Sequence, residues 1–139
     1  MESWSIDCKY DGTELAVESL NTPVLHNKYI KILIGERSVL FRLKSKVKKT
    51  KLMLIEYYSG DLNDPETLND INREVWLKKV LKSDLDTYID SDTEMIQELL
   101  QLAMQEEKVN YLTSIIKRIE NRNWEIRNAI EWNKFQAGG

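Results

Sequence analysis

The stretch Thr22–Gly60, TPVLHNKYIKILIGERSVLFRLKSKVKKTKLMLIEYYSG, decides how the rest of the chain is read. Leu25, Tyr29, Ile32, Leu33, Leu40, Leu43, Val47 and Leu54 recur at helical spacing, so an apolar stripe runs along it. Thr22 and Pro23 form a start signal, a hydroxyl cap followed by proline at the first helical position. Ser59-Gly60 is a stop, because glycine tolerates the left-handed cap. The spacing predicts one long helix from about Pro23 to Tyr58, which Gly35 weakens without breaking. For KLMLIEYY the composition leaves an alternative, a short strand near residues 51–58.

Upstream, DGTELAVESL reads as a short helix capped by Asp11 or Thr13. Downstream, SGDLNDPETLNDIN is turn-like, with a second helix start at Asp64-Pro65. INREVWLKKVL is expected to form a short helix through Ile71, Val75, Trp76, Leu77, Val80 and Leu81, and KSDLDTYIDSD an acidic linker. Asp92 or Thr93 then caps a strong helix. Its expected seam is Met95, Ile96, Leu99, Leu100, Ala103, Val109, Leu112, Ile115, Ile116 and Ile119. The period resumes at Ile126 and Ile130, so the helix kinks at Asn121–Asn123 or runs through to Phe135. Three regions of a single domain follow: 1–60 helical with a basic segment at 37–55, 61–91 acidic and connecting, 92–139 helical.

The expected class is therefore mainly α. Long helices with few loops expose apolar stripes that another helix must cover. This predicts a homo-oligomer whose contacts are Leu112, Ile115, Ile116, Ile119, Ile126, Ile130 and Phe135. The alternative is that the stripe folds back on the chain's own N-terminal helix.

Composition excludes much else. The 139 residues suit one domain, with 42% apolar and 31% charged residues and only five glycines and two prolines. No apolar run approaches the roughly 20 residues that span a bilayer, so no membrane association is expected. MESWSIDCKYDG has neither a basic nor a hydrophobic signal region, and the single Cys8 fits a reducing cytoplasm. One cysteine and one histidine, His26, are too few for a His-Cys metal site. His26 is read as a surface or packing residue, and Glu106-Glu107 and Asp84/Asp86 as solvated surface. No phosphate-cradling G-x-x-x-x-G-K-[ST] occurs, and DLNDPETLND lacks the central glycine of a calcium loop. No catalytic set, metal or cofactor is expected, and the chain is not read as an enzyme.

Charge is unevenly placed. The net charge is −3, yet Arg37, Arg42, Lys44, Lys46, Lys48, Lys49 and Lys51 occur with no acid between residues 37 and 55. On a helix, Arg37, Lys44, Lys48 and Lys51 form one stripe beside Leu40, Leu43, Val47, Thr50 and Leu54. Arg42, Lys46 and Lys49 form another. Like charges at these spacings repel, and a phosphate backbone would relieve them. A polyanion grip is favoured over a merely solvated face. Tyr57 and Tyr58 could stack unpaired bases, but packing at the helix end is the stronger reading for them.

The intact Tyr57-Tyr58-Ser59-Gly60, preceded by Glu56, carries a resemblance. So do the continuous N-terminal stretch DGTELAVESLNTPVLHNKYIKILIGERSVLFRLKSKVKKTKLMLIEYYSG and the ending NWEIRNAIEWNKFQAGG, with Phe135 to Gly138 in the family's closing pattern. The chain resembles the UvsY recombination mediators of T-even-like phages; the middle, 61 to about 120, matches mainly in length and pattern. The resemblance implies a non-enzymatic mediator of recombination, repair and recombination-dependent replication in the cytoplasm of the infected host cell. It implies a ring-like homo-oligomer, hexamer or heptamer, that binds single-stranded DNA. Its implied partners are the phage recombinase and the single-strand-binding protein that the recombinase displaces. It also places two DNA-binding basic residues shortly before Tyr-Tyr-Ser-Gly, at positions where this chain has Leu52 and Leu54. Lys46, Lys48, Lys49 and Lys51 are the nearest charges and are expected to take over. The family's C-terminal region is tied to self-assembly.

Overall fold

The computed structural model describes residues 2–9 and 15–138. Five helices occur along them: α1 (Glu2–Asp7), α2 (Leu15–Tyr58), α3 (Pro65–Asp70), α4 (Leu85–Asp90) and α5 (Thr93–Gln136). No strand occurs among the described residues. The strand alternative at 51–58 is therefore replaced by helix. The chain divides into two compact units, Met1–Ser38 with Glu107–Gly139, and Val39–Glu106.

The predicted end of α2 is observed, and its cause is local. Gly60 adopts φ 82°, Asp61 N donates to the Glu56 carbonyl at 3.0 Å, and Gly60 N to that of Tyr57 at 3.2 Å. This double closure needs a left-handed residue, which glycine supplies without a Cβ penalty. The predicted start is corrected. The helix already runs at Leu15, and Pro23 lies inside it. Proline there forfeits one backbone bond and normally costs about 3 kcal/mol. Packing overrides it: Thr22, Tyr29 and Leu33 around it are buried. The expected caps Asp11 and Thr13 lie outside the described residues.

In the first unit, the early part of α2 runs antiparallel to the later part of α5. His26 meets Glu120 at 3.7 Å and Glu36 meets Lys108 at 3.0 Å. Val109, Leu112, Ile115, Ile116, Ile119 and Ile126 are buried there. Helix α1 closes this unit. Trp4 packs edge-on against Tyr29 at 5.2 Å, Asp7 accepts bonds from Lys28 and Tyr29, and Arg122 donates to the Asp7 carbonyl at 3.0 Å. The Lys28 ammonium, then the Tyr29 hydroxyl, hold the Asp7 carboxyl below its ordinary pKa.

In the second unit, the late part of α2 meets the early part of α5, again antiparallel. Thr50 Oγ1 donates to both Glu98 oxygens at 2.8 and 2.6 Å, and Tyr58 Oη to Asp92 at 2.6 Å. Leu54, Tyr57, Tyr58, Leu68, Ile89 and Met95 form the core, with Val47, Met53, Ile55, Trp76 and Tyr88 against it. Asp64 caps α3 as expected, accepting from Thr67 N at 3.2 Å. Asp92 caps α5, accepting from Glu94 N at 3.0 Å and Met95 N at 3.4 Å. Two expectations between these caps are corrected. Residues 71–84 hold no helix, and the presumed linker contains α4. The reason lies in two anchors. Asn72, at φ 57°, turns the chain after α3, with Arg73 N bonded to the Leu68 carbonyl. Trp76 then packs among Tyr57, Tyr58 and Tyr88 at centroid distances of 5.9, 4.8 and 5.8 Å.

The inner row of α5 is corrected too. In the second unit it consists of Met95, Glu98, Leu102 and Gln105, buried or half-buried at alternating steps of three and four. Ile96, Leu99, Leu100 and Ala103 are exposed instead. An alternating three-four step keeps one seam facing one partner helix. Two polar residues occupy that seam, and Glu98 is retained by its bonds to Thr50.

Candidate nucleic-acid interface

The basic segment lies on α2. Leu54 is fully buried and Val47 and Thr50 turn inward, which fixes the rotation of this part of the helix. Arg42, Lys44, Lys46, Lys48, Lys49 and Lys51 are all exposed on the second unit, and Arg37 is exposed on the first. At 100° per residue, Lys44, Lys48 and Lys51 fall on one flank of the buried row, and Arg42, Lys46 and Lys49 on the other. None of the seven is in an ion pair among the described residues, whereas Lys28, Arg73, Lys108 and Arg118 all are. Unneutralised charge of one sign on a helix flank makes a local positive field despite the acidic net charge.

The tyrosines belong elsewhere. Tyr57 is 7% and Tyr58 8% exposed, so neither presents a ring face to a base. Tyr57 Oη donates to the Glu74 carbonyl at 2.8 Å, and its ring lies 5.0 Å from the Arg73 guanidinium. Burial, then the bond to Asp92, pushes the Tyr58 hydroxyl up to about 12. The inclusion of Tyr57 and Tyr58 among strand-contacting residues is corrected; they organise the core of the second unit. The aromatic that the basic segment does expose is Phe41, at 72%, which the spacing alone did not single out. Its signal was there in the wheel: it stands opposite the Leu43–Leu54 row.

Of the two positions where the resemblance places basic residues, Leu52 is 59% exposed and Leu54 is at 0%. Of the expected self-contact residues, Leu112, Ile115, Ile116, Ile119 and Ile126 are covered within the chain, as in the fold-back alternative. Ile130 is half-buried, and Phe135 is 70% exposed and stacks on Trp132 at 5.7 Å. Cys8 is exposed, and no metal-holding group of ligands occurs among the described residues. In the calcium-like stretch, Asp64 is committed to Thr67, which lowers its pKa. No helix among the described residues is long and apolar enough to cross a membrane.

Fold and surface together define an all-helical protein whose longest basic run lies open along one helix. The chain belongs to the UvsY family, described as recombination, repair and ssDNA binding protein UvsY, whose model matches residues 3–139. Among solved structures it is similar to the bacteriophage T4 recombination mediator protein UvsY in crystal lattice type I. There the identity is 18%, the coverage 97% of this chain and 96% of that one, and the TM-score 0.85. Lattice type II of the same T4 protein gives 20% identity, coverage of 98% and 93%, and a TM-score of 0.84. At these identities the likeness is one of fold. No curated protein matches the chain.

Proposed function

We propose that this chain is a recombination mediator that holds single-stranded DNA on the flanks of α2 and works as a homo-oligomer in the cytoplasm of the infected cell. The observation that carries the reading is the run of exposed cations from Arg42 to Lys51, none of them in an ion pair among the described residues. One such helix binds weakly and without sequence preference. Several copies on one particle multiply the effective concentration along a strand. A strand wrapped on a ring, hexameric or heptameric, is ordered for the recombinase as it replaces the single-strand-binding protein. The chain's own chemistry in this is positioning and charge neutralisation.

The test is a fluorescence titration of a single-stranded oligonucleotide across a salt series. Replacing Lys46, Lys48, Lys49 and Lys51 by alanine is expected to weaken binding roughly tenfold or more. The slope of log K against log salt should fall by about 0.7 for each side chain that held a phosphate. Particle mass should not change. Unchanged affinity in that variant overturns the site, and no binding by the wild-type chain at low salt overturns the function in favour of a helical adaptor with a solvated basic face.

Assembly is proposed to use the aromatic end of α5. Trp132 is 59% and Phe135 70% exposed, large apolar groups of the kind that anchor interfaces. Replacing both by alanine is expected to shrink the particle without unfolding the chain, read by light scattering and circular dichroism. An unchanged mass moves the contact elsewhere.

A further inference from the structure

We propose that Phe41 is a base-stacking residue of this surface; the inference rests on the strand-binding reading of α2. With Tyr57 and Tyr58 buried, Phe41 is the aromatic ring that the basic segment exposes, at 72%. It has no ring partner and no cation over its face among the described residues, unlike Tyr29, Tyr57 and Tyr88. Its place on the helix gives it a role that a scattered surface apolar residue lacks. At 100° per residue it stands about 150° from the buried row, on the outer crest. Arg42 and Lys49 lie on one side of that crest, and Lys44 and Lys48 on the other. At 1.5 Å per residue, Lys44 and Lys48 are about 4.5 and 10.5 Å further along the axis. Phosphates held on the flanks would leave bases at the crest, where an aromatic face accepts any of them. Leu52 follows on the same crest three turns later and is also exposed.

The occupant is single-stranded nucleic acid and not a second copy of the chain. A second copy docked crest to crest would bring the same unneutralised cations face to face, which the charge pattern opposes. A strand brings the phosphates that neutralise them.

The experiment compares an oligothymidylate with an abasic oligomer of equal length, which keeps the phosphates and lacks the bases. The wild-type chain should bind oligothymidylate more tightly. Phe41→Ala should lose about 5- to 150-fold on oligothymidylate and little on the abasic strand, with the salt slope unchanged. Phe41→Trp should restore binding, and fluorescence of the added tryptophan should be quenched by oligothymidylate alone. Equal losses on both strands, no loss on either, or a change of particle mass in Phe41→Ala overturns the inference. These outcomes leave the lysine result standing. If the lysine variant binds as well as the wild type, the strand-binding reading of α2 fails, and this inference with it.

Discussion

Replacing Asp92 by alanine should destabilise the chain by about 3 kcal/mol, read as a lowered denaturation midpoint in urea at pH 7. Asp92 is 6% exposed and joins three structural tasks. It accepts two bonds from Arg73, at 2.8 and 2.9 Å, and one from Tyr58 at 2.6 Å. It also caps α5 through the Glu94 and Met95 amides. Removing one member of a buried pair costs about 3–5 kcal/mol, because the remaining charge keeps its desolvation. The low end applies, since Glu94 stays 3.0 Å from Arg73 and the Tyr57 ring stays beneath it. Glu94→Ala removes a more exposed partner and should cost less than about 1 kcal/mol.

The same group sets an acid limb. Burial alone would raise the Asp92 carboxyl, but hydrogen bonds from Arg73 and Tyr58 outweigh it and hold the pKa at about 2, against an ordinary 3.8. A depressed folded-state pKa stabilises above the unfolded value and is lost as pH falls, here between about pH 5 and 2. The contribution is on the order of 2 kcal/mol. Wild-type stability should fall across that window, and Asp92→Ala should lose this part of the fall. Tyr58 works at the other end. Its hydroxyl is raised to about 12, so its contribution is present below pH 10 and fades as pH rises from 10 to 12.

How legible all this was depended on whether the cause was local. The stop at Gly60, the start at Asp64-Pro65 and the cap of α5 each act within a few residues, and each was readable from the chain, the last as Asp92 or Thr93. The start of α2 was not, because Pro23 signals a beginning that burial of Tyr29 and Leu33 overrides. The inner row of α5 was obscured by its own content. Glu98 and Gln105 sit where apolar residues are expected, and Ile96 and Leu100 invite the wrong register. Stepping back by three and four from Leu112 and Val109 reaches Gln105, Leu102, Glu98 and Met95. That period was the better guide. The seam at Leu112–Ile126 needs a partner far away in sequence, which no local pattern names. Trp76 was read as helical because its neighbours are apolar, while its position depends on three rings from other segments. For the basic surface, the run of lysines was readable from residue type, and the structure adds that Lys44, Lys46, Lys48, Lys49 and Lys51 are exposed. For the aromatics residue type left two readings open, and burial separates them: Tyr57 and Tyr58 pack at the helix end, while Phe41 is exposed.

That difference between crest and core makes Leu52 and Leu54 a decisive pair. Leu52→Lys should leave stability within about 0.5 kcal/mol, because the side chain is 59% exposed. It adds a cation to the outer crest, so single-strand affinity should rise and the salt slope steepen by about 0.7. Leu54→Lys should have the opposite character. At 0% exposure the change removes a leucine from among Tyr57, Tyr58 and Met95 and places an ammonium there without a partner. Truncating a buried leucine alone costs about 2–5 kcal/mol, and the buried charge adds to it, for about 4 kcal/mol or more. Against the 5–15 kcal/mol that typically holds a domain, this should cut the thermal midpoint sharply and weaken DNA binding through unfolding. The two variants carry the same added charge two residues apart. Equal stability of both would mean that Leu54 is not in the core, and the rotation of α2 that turns Lys44 to Lys51 outward would have to be redrawn.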